Sequence, residues 1–285
     1  GVLCGTIGNN EAGIIMITDD GGLTWTESGS TTISNFLSLN INENGEAFVC
    51  GSNGGIFKSE DMGITWIDKS YGNNYFYDIE FGEDQTAYII DRWKIYKSTD
   101  NCETWNVYNN VPYTLSFRDI EVGGEQLYGC GGKTAVYKIP ENDDLETLLY
   151  NNPLTFSKIE FLNANEGFAI RGVSPHGSSF ITTDGGYSWV ENSLISGQEF
   201  CYLESVNQSL FYIRTDNTLV KSIDGGHNWE TYDLPFELNN YYTNSFSVPS
   251  ENTLYLCNRT TVLNKSIDGG NNWEEITITD SHTLS

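Results

Sequence analysis

One motif, Ser/Thr-x-Asp-x-Gly-x-x-Trp, recurs down this chain and limits what it can fold into more than any other feature. It first appears as Thr18-Asp19-Asp20-Gly21-Gly22-Leu23-Thr24-Trp25 and returns at residues 59–66, 98–105 (with Cys102 in place of Gly), 182–189, 222–229 and 266–273. Its aspartates, Asp20, Asp61, Asp100, Asp184, Asp224 and Asp268, recur at intervals of about 40 residues, with one interval of double length after Asp100. In that gap Val136-Tyr137-Lys138-Ile139 repeats the alternation of Lys94-Ile95-Tyr96-Lys97, and Glu146-Thr147-Leu148 stands where Glu103-Thr104-Trp105 stands one unit earlier. A degenerate seventh copy therefore sits there, its turn eroded to Pro140-Glu141-Asn142-Asp143-Asp144. A fixed period of this length marks a supersecondary unit that buries its apolar face only against its neighbours.

Within a unit, three strand-like pieces precede the motif and one follows it, as in residues 36–41, 46–51, 55–59 and 65–68. Four short strands per period predict an all-β chain: a single seven-bladed β-propeller over residues 1–285, with four-stranded antiparallel blades. The aromatic content of 13%, 29 Gly and only 2 Met suit pleated strands and tight turns. In the motif, the carboxylate can accept from turn N–H groups, Gly can take a positive φ, and Trp can pack between sheets. One carboxylate per turn falls short of the six to eight oxygens calcium generally takes, so no metal is expected. Val2-Leu3-Cys4-Gly5 aligns with second strands such as Phe48-Val49-Cys50-Gly51, which leaves blade 1 without an innermost strand. The C-terminal residues, ending in Ser281-His282-Thr283-Leu284-Ser285, are expected to supply it and so close the ring.

The net charge of −25 makes nucleic acid and anionic lipid poor partners, and no apolar run is long enough for a membrane-spanning helix. The start reads as already trimmed, and with the acidic surface this suggests an extracytoplasmic (periplasmic, cell-surface or secreted) monomer. Cys4, Cys50, Cys130 and Cys257 share the second-strand position of blades 1, 2, 4 and 7. Packed sheets lie about 10 Å apart, beyond disulfide reach, so these are expected to be free buried thiols; Cys102 and Cys201 have no evident partner. His176, His227 and His282 show no metal-ligand spacing, and the two Asn-x-Ser/Thr sequons, at Asn207 and Asn258, are ascribed to chance.

The basic residues divide by position. Lys58, Lys97, Lys138, Lys221 and Lys265 precede the turns on third strands and are expected to be solvated. Arg92, Arg171, Arg214 and Arg259 end second strands, with Lys133 as the blade 4 equivalent, and Arg118 opens the innermost strand of blade 4. In an up-and-down blade those positions share one face, opposite the motif turns. A basic funnel at the mouth of the central channel would favour carboxylate, phosphate or sulfate groups, with Trp93 as a stacking surface and Asp78, Asp119, Lys158, Tyr202 and Asn244 contributing from inner strands. The alternative is that strand-end arginines simply pair with the abundant carboxylates.

The turns, above all Lys221-Ser222-Ile223-Asp224-Gly225-Gly226-His227-Asn228-Trp229, resemble the Asp-box (BNR) repeats of sialidases, xyloglucan-cleaving glycoside hydrolases, sortilin-type receptors and photosystem II stability and assembly factors. Blade count and size most resemble the photosystem II assembly factor family. That resemblance implies a non-enzymatic binding propeller with an arginine-rich patch, no cofactor, and a protein or anionic or carbohydrate ligand. The sialidase resemblance implies instead a glycan-active hydrolase, in which Arg118, Arg171 and Arg214 hold an acidic sugar and Asp78 or Asp119 serves as acid. Phe117-Arg118-Asp119-Ile120 only faintly matches the sialidase Phe/Tyr-Arg-Ile-Pro motif, and sialidases have six blades. Xyloglucan-cleaving enzymes work in a cleft between two propellers, where this chain has one.

Overall fold

The computed structural model describes residues 1–7, 12–28, 35–112, 114–131, 135–141, 144–150, 156–171, 177–192, 200–214, 216–238, 245–257 and 262–277. Their strands form seven separate antiparallel sheets, each in simple sequence order, with no α-helix among the described residues. Blade 3 is representative: Asp78–Phe81, Ala87–Ile90, Lys94–Ser98 and Asn106–Asn110 run up and down in turn. The first strands of successive blades adjoin one another, which makes them the innermost ring of a seven-bladed β-propeller. Blade 1 shows three strands, Val2–Ile7, Ala12–Ile17 and Thr26–Glu27, which correspond to the second to fourth strands of the others. The inner strand expected from the C-terminus falls on residues 278–285, outside the described residues. No helix of the described residues is long and apolar enough to cross a membrane.

In blades 2 to 5 a repeated aromatic pair holds the blade to its own inner strand. Phe36, Phe76, Phe117 and Phe156, all buried where an inner strand begins, meet the third-strand rings of Phe57, Tyr96, Tyr137 and Phe180 at centroid separations of 6.3, 6.0, 5.4 and 5.6 Å. Such pairs contribute roughly 0.5–1.5 kcal/mol each beyond their burial. Immediately after this Phe the register shifts: bulges fall between Phe36 and Ser38, Phe117 and Asp119, and Phe156 and Lys158. A bulge leaves one residue unpaired and re-aims its side chain. Here it turns Leu37 and Arg118 outward to solvent while the next residue points at the axis.

The six aspartate turns repeat one hydrogen-bond scheme. The carboxylate accepts from the backbone N–H four residues on, at 2.9 Å in Asp20–Thr24, 2.8 Å in Asp61–Thr65 and 2.9 Å in Asp224–Asn228, and from that residue's side chain. The Ser or Thr hydroxyl that opens the turn accepts from the Gly N–H, at 2.8 Å in Thr18–Gly22 and 2.9 Å in Ser222–Gly226. These bonds hold the carboxylates below their usual range, Asp100 and Asp224 at about 2. Cys102 takes a φ of 65° where the other turns use Gly, and its N–H still reaches Ser98 at 3.0 Å.

Two expectations about side chains have different outcomes. The third-strand lysines are not solvated: Lys58 is only 2% exposed and paired with Glu46 and Glu60, and Lys97, Lys138, Lys221 and Lys265 are half-buried. Each ammonium lies over an aromatic ring, 5.3–5.9 Å from its centroid, so the long aliphatic stem covers apolar surface while the charge is held in place. Of the second-strand cysteines, Cys50, Cys130 and Cys257 are buried as expected and Cys4 is half-buried. Cys4, Cys50, Cys102, Cys130 and Cys257 are all free, and burial pushes the thiols of Cys4, Cys102 and Cys257 up to about 12.

Candidate functional site

Each inner strand from blade 3 to blade 6 reads polar, apolar, Glu: Asp78-Ile79-Glu80, Asp119-Ile120-Glu121, Lys158-Ile159-Glu160, Tyr202-Leu203-Glu204. Alternation buries Ile79, Ile120, Ile159 and Leu203 in the blades, so the residues on either side face the axis. The result is a cluster of six carboxyls, Asp78, Glu80, Asp119, Glu121, Glu160 and Glu204, around the ammonium of Lys158. Lys158 lies 3.1 Å from Asp119 and 3.8 Å from Glu160. Burial pulls its pKa down, but the surrounding carboxylates, Asp119 foremost, outweigh that and drive it well up. One cation cannot keep six neighbouring carboxyls ionised. Burial, with mutual repulsion, raises Asp78 to about 6, Glu204 to about 7 and Glu160 to about 8, and places Glu80 and Glu121 well above their ordinary value.

The two aspartates also tie blades together. Asp78 accepts from Ile120 N–H of the next blade at 3.1 Å and from Ser38 Oγ of the previous blade at 2.9 Å. Asp119 accepts from Ile159 N–H at 2.8 Å. Farther along, Glu160 accepts from Ser205 Oγ at 3.0 Å. In both cases the carboxylate of one inner strand reaches the backbone N–H of the residue that follows the equivalent axial position on the next blade. Of the other inner-strand candidates, Tyr202 packs against Phe246 of blade 7 at 6.4 Å, and Asn244 lies outside the described residues. The acidic ring had a readable signal, the repeated Glu two residues after the axial position.

The described strand-end candidates, Arg92, Arg118, Arg171 and Arg214, lie at the same end of their blades but differ in state. Arg214 is ion-paired with Asp216 two residues on, at 2.7 Å. Arg171 donates to Ser178 Oγ at 3.3 Å, and that hydroxyl in turn donates to Glu191 at 2.6 Å. Arg92, in the turn after Ala87–Ile90, and Arg118, in the bulge of Phe117–Gly123, are exposed and form no ion pair with a described carboxylate. Lys133 and Arg259 lie outside the described residues. Trp93 is exposed beside Arg92, its backbone held by the carboxylate of Asp91 at 2.6 Å. At the opposite strand ends, a cleft of about 390 Å³ opens between blades 3 and 4, lined by Glu83, Asp84, Tyr88, Lys97, Glu125 and Gln126 among others, with no arginine.

No protein-family profile matches this sequence, and no curated protein matches it. Solved structures do. The chain resembles YCF48 bound to a D1 peptide at a TM-score of 0.64 and 15% identity, covering 100% of this chain and 97% of that one. YCF48 from Cyanidioschyzon merolae gives 0.65 and 12%, covering 88% of each. A GH74 xyloglucanase from Xanthomonas campestris gives 0.60 and 10%, covering 93% of this chain but 56% of the enzyme. At these identities the likeness is one of fold, which YCF48 shares over nearly its whole length.

Proposed function

We propose that this chain is a non-enzymatic binding or assembly propeller that presents arginines at one end of its blades to a protein partner or anionic ligand. The observation behind this is that Arg92 and Arg118 stand exposed, without a carboxylate partner among the described residues, in a chain whose net charge is −25. Such guanidinium groups have every opportunity to pair internally, and Arg214 does. The whole-chain likeness to YCF48, one structure of which holds a D1 peptide, supports the same reading. Asp78 and Asp119, the acids a hydrolase would need, spend their oxygens on inter-blade bonds, which favours scaffold over catalysis.

Titration with poly-glutamate followed by tryptophan fluorescence provides the test. Binding should weaken with salt and be lost when Arg92 and Arg118 are both changed to Ala. Arg171→Ala and Arg214→Ala should matter less, since those side chains already have partners. Unchanged binding in all of these variants refutes the arginine site, and turnover of a sialoside or of xyloglucan would put a hydrolase in its place.

A further inference from the structure

Of the exposed large aromatics among the described residues, Tyr71, Tyr75, Trp93 and Tyr187, three gather on one sector of the arginine end, and one buried carboxylate organises all three. Asp91, 3% exposed, accepts from Trp93 N–H at 2.6 Å, Lys94 N–H at 2.7 Å, Asn74 Nδ2 at 2.6 Å and Tyr96 Oη at 3.0 Å. Tyr75 follows Asn74 directly. Tyr71 packs edge-on against Tyr96, with centroids 5.5 Å apart. The link carrying Tyr71 and Tyr75 is fastened to blade 2 by Tyr71 N–H to Gly54 O at 2.8 Å and Gly54 N–H to Asn74 O at 2.6 Å. Tyr71, Tyr75 and Trp93 nevertheless keep 38%, 49% and 47% of their surface in solvent. Side chains fixed this firmly at their backbones and left this open lose little entropy on binding.

We propose that this sector, spanning blades 2 to 4, is the docking platform for an acidic polypeptide segment that carries apolar side chains; the inference deepens the binding reading above and rests on it. Charge selects the occupant: the exposed cations Arg92 and Lys94 flank Trp93, and Arg118 stands at the start of the next blade. Tyr, Trp and Arg are the residues that dominate protein interfaces. A sugar would need in-plane polar groups beside the rings, but those of Asp91 and Asn74 are spent on each other and on the turn. The axial carboxyls set the location. An anion over the central mouth would face Asp78 and Asp119, whereas one lying over Trp93 meets cations.

The experiment is selection of binders from a display library of short random peptides against the whole chain. Winning peptides are retested on Trp93→Ala, Tyr75→Ala and the Arg92→Ala/Arg118→Ala pair, each checked for an unchanged melting temperature. Selected peptides should be rich in Asp and Glu with interspersed apolar residues, and should bind about tenfold or more weakly to Trp93→Ala and Tyr75→Ala. If affinity falls in the arginine pair but not in the aromatic variants, the platform is wrong and the broader binding reading survives. If it falls in neither, both fail. Neutral glucans that bind wild type and lose affinity in Trp93→Ala would overturn the peptide assignment in favour of carbohydrate.

Discussion

Replacing Lys158 by Met should make the stability of this propeller depend steeply on pH. Lys158 holds Asp119 at 3.1 Å and Glu160 at 3.8 Å, and both carboxyls are buried. Removing one partner of a buried pair leaves an uncompensated charge and costs about 3–5 kcal/mol; the ammonium retains some water contact, which points to the lower figure, about 3 kcal/mol at pH 8. Near pH 5 the loss should be smaller. Glu160, with a folded pKa of about 8, and Glu204, at about 7, lie above the unfolded value of roughly 4.3, so each contributes stability that is present at low pH and lost as pH rises through the folded value. At pH 5 these groups carry protons in the folded state, the variant has less charge to leave unpaired, and the cost should fall to about 1 kcal/mol.

The same sign applies to wild type, which should be more stable at pH 5 than at pH 8, by about 1.4 kcal/mol per pH unit for each extra proton the folded state holds. Urea denaturation of both proteins at pH 5 and pH 8 reads these differences directly, provided the slope with denaturant stays constant. Equal losses at the two pH values, or none at pH 8, would show that the axial carboxyls are not coupled to Lys158 as the geometry requires.

Three further outcomes follow from local structure. Gly54→Ala should cost about 2 kcal/mol or more, because φ is +72° and the new Cβ would lie 2.4 Å from Tyr71 O; Gly45→Ala, with φ +78° and nothing within 4 Å, should cost about 1 kcal/mol, and equal thermal shifts would contradict the close approach. The buried thiols of Cys4, Cys102 and Cys257, raised to about 12, should resist iodoacetamide at pH 8 until the protein is unfolded, as mass spectrometry of labelled samples would show. The turn aspartates carry the opposite sign to the axial acids: Asp100 and Asp224, at about 2 when folded, contribute stability above the unfolded value near 4 that is lost as pH falls through 2, so Asp224→Asn should flatten the acid limb of a circular-dichroism titration and leave the limb above pH 6 unchanged.

The seven blades were legible because their signal is local and periodic: the turn needs its Asp, Gly and Trp at fixed offsets, and the strand Phe36–Ile41 occurs where alternation placed it. Lys58 reads as solvent-facing because it precedes a turn, whereas Phe48, on the adjacent strand, and Glu46, just before that strand, cover it from across the sheet and Glu60, two residues on, closes over its ammonium. The inter-blade bond from Asp78 to Ile120 joins residues 42 apart on different blades, and the alternation within one strand carries no sign of a partner on the next. Tyr71 and Tyr75 escaped notice for a different reason. They lie in the aperiodic link between blades, where no repeat supplies a register, and only the four bonds to Asp91 bring them beside Trp93.

Read from strand ends alone, the arginines converge on the central mouth; read with the inner strands, the mouth is floored by six carboxyls and one lysine. At a separation of about 4 Å and an effective dielectric near 20, each ionised carboxylate would oppose a bound anion by about 4 kcal/mol, so even one or two ionised acids at the rim suffice to push it off the axis. The exposed cations and rings that remain attractive are those of blades 2 to 4, away from the axial acids. Acid titration offers an independent check of this logic. Lowering pH from 8 to 6 protonates Glu160 and Glu204 and should leave the affinity of a sulfated probe held over Trp93 nearly unchanged, in wild type and in Lys158→Met alike; affinity that rises as pH falls, with Lys158→Met moving the gain to higher pH, would put the anion at the axis and refute the off-axis site.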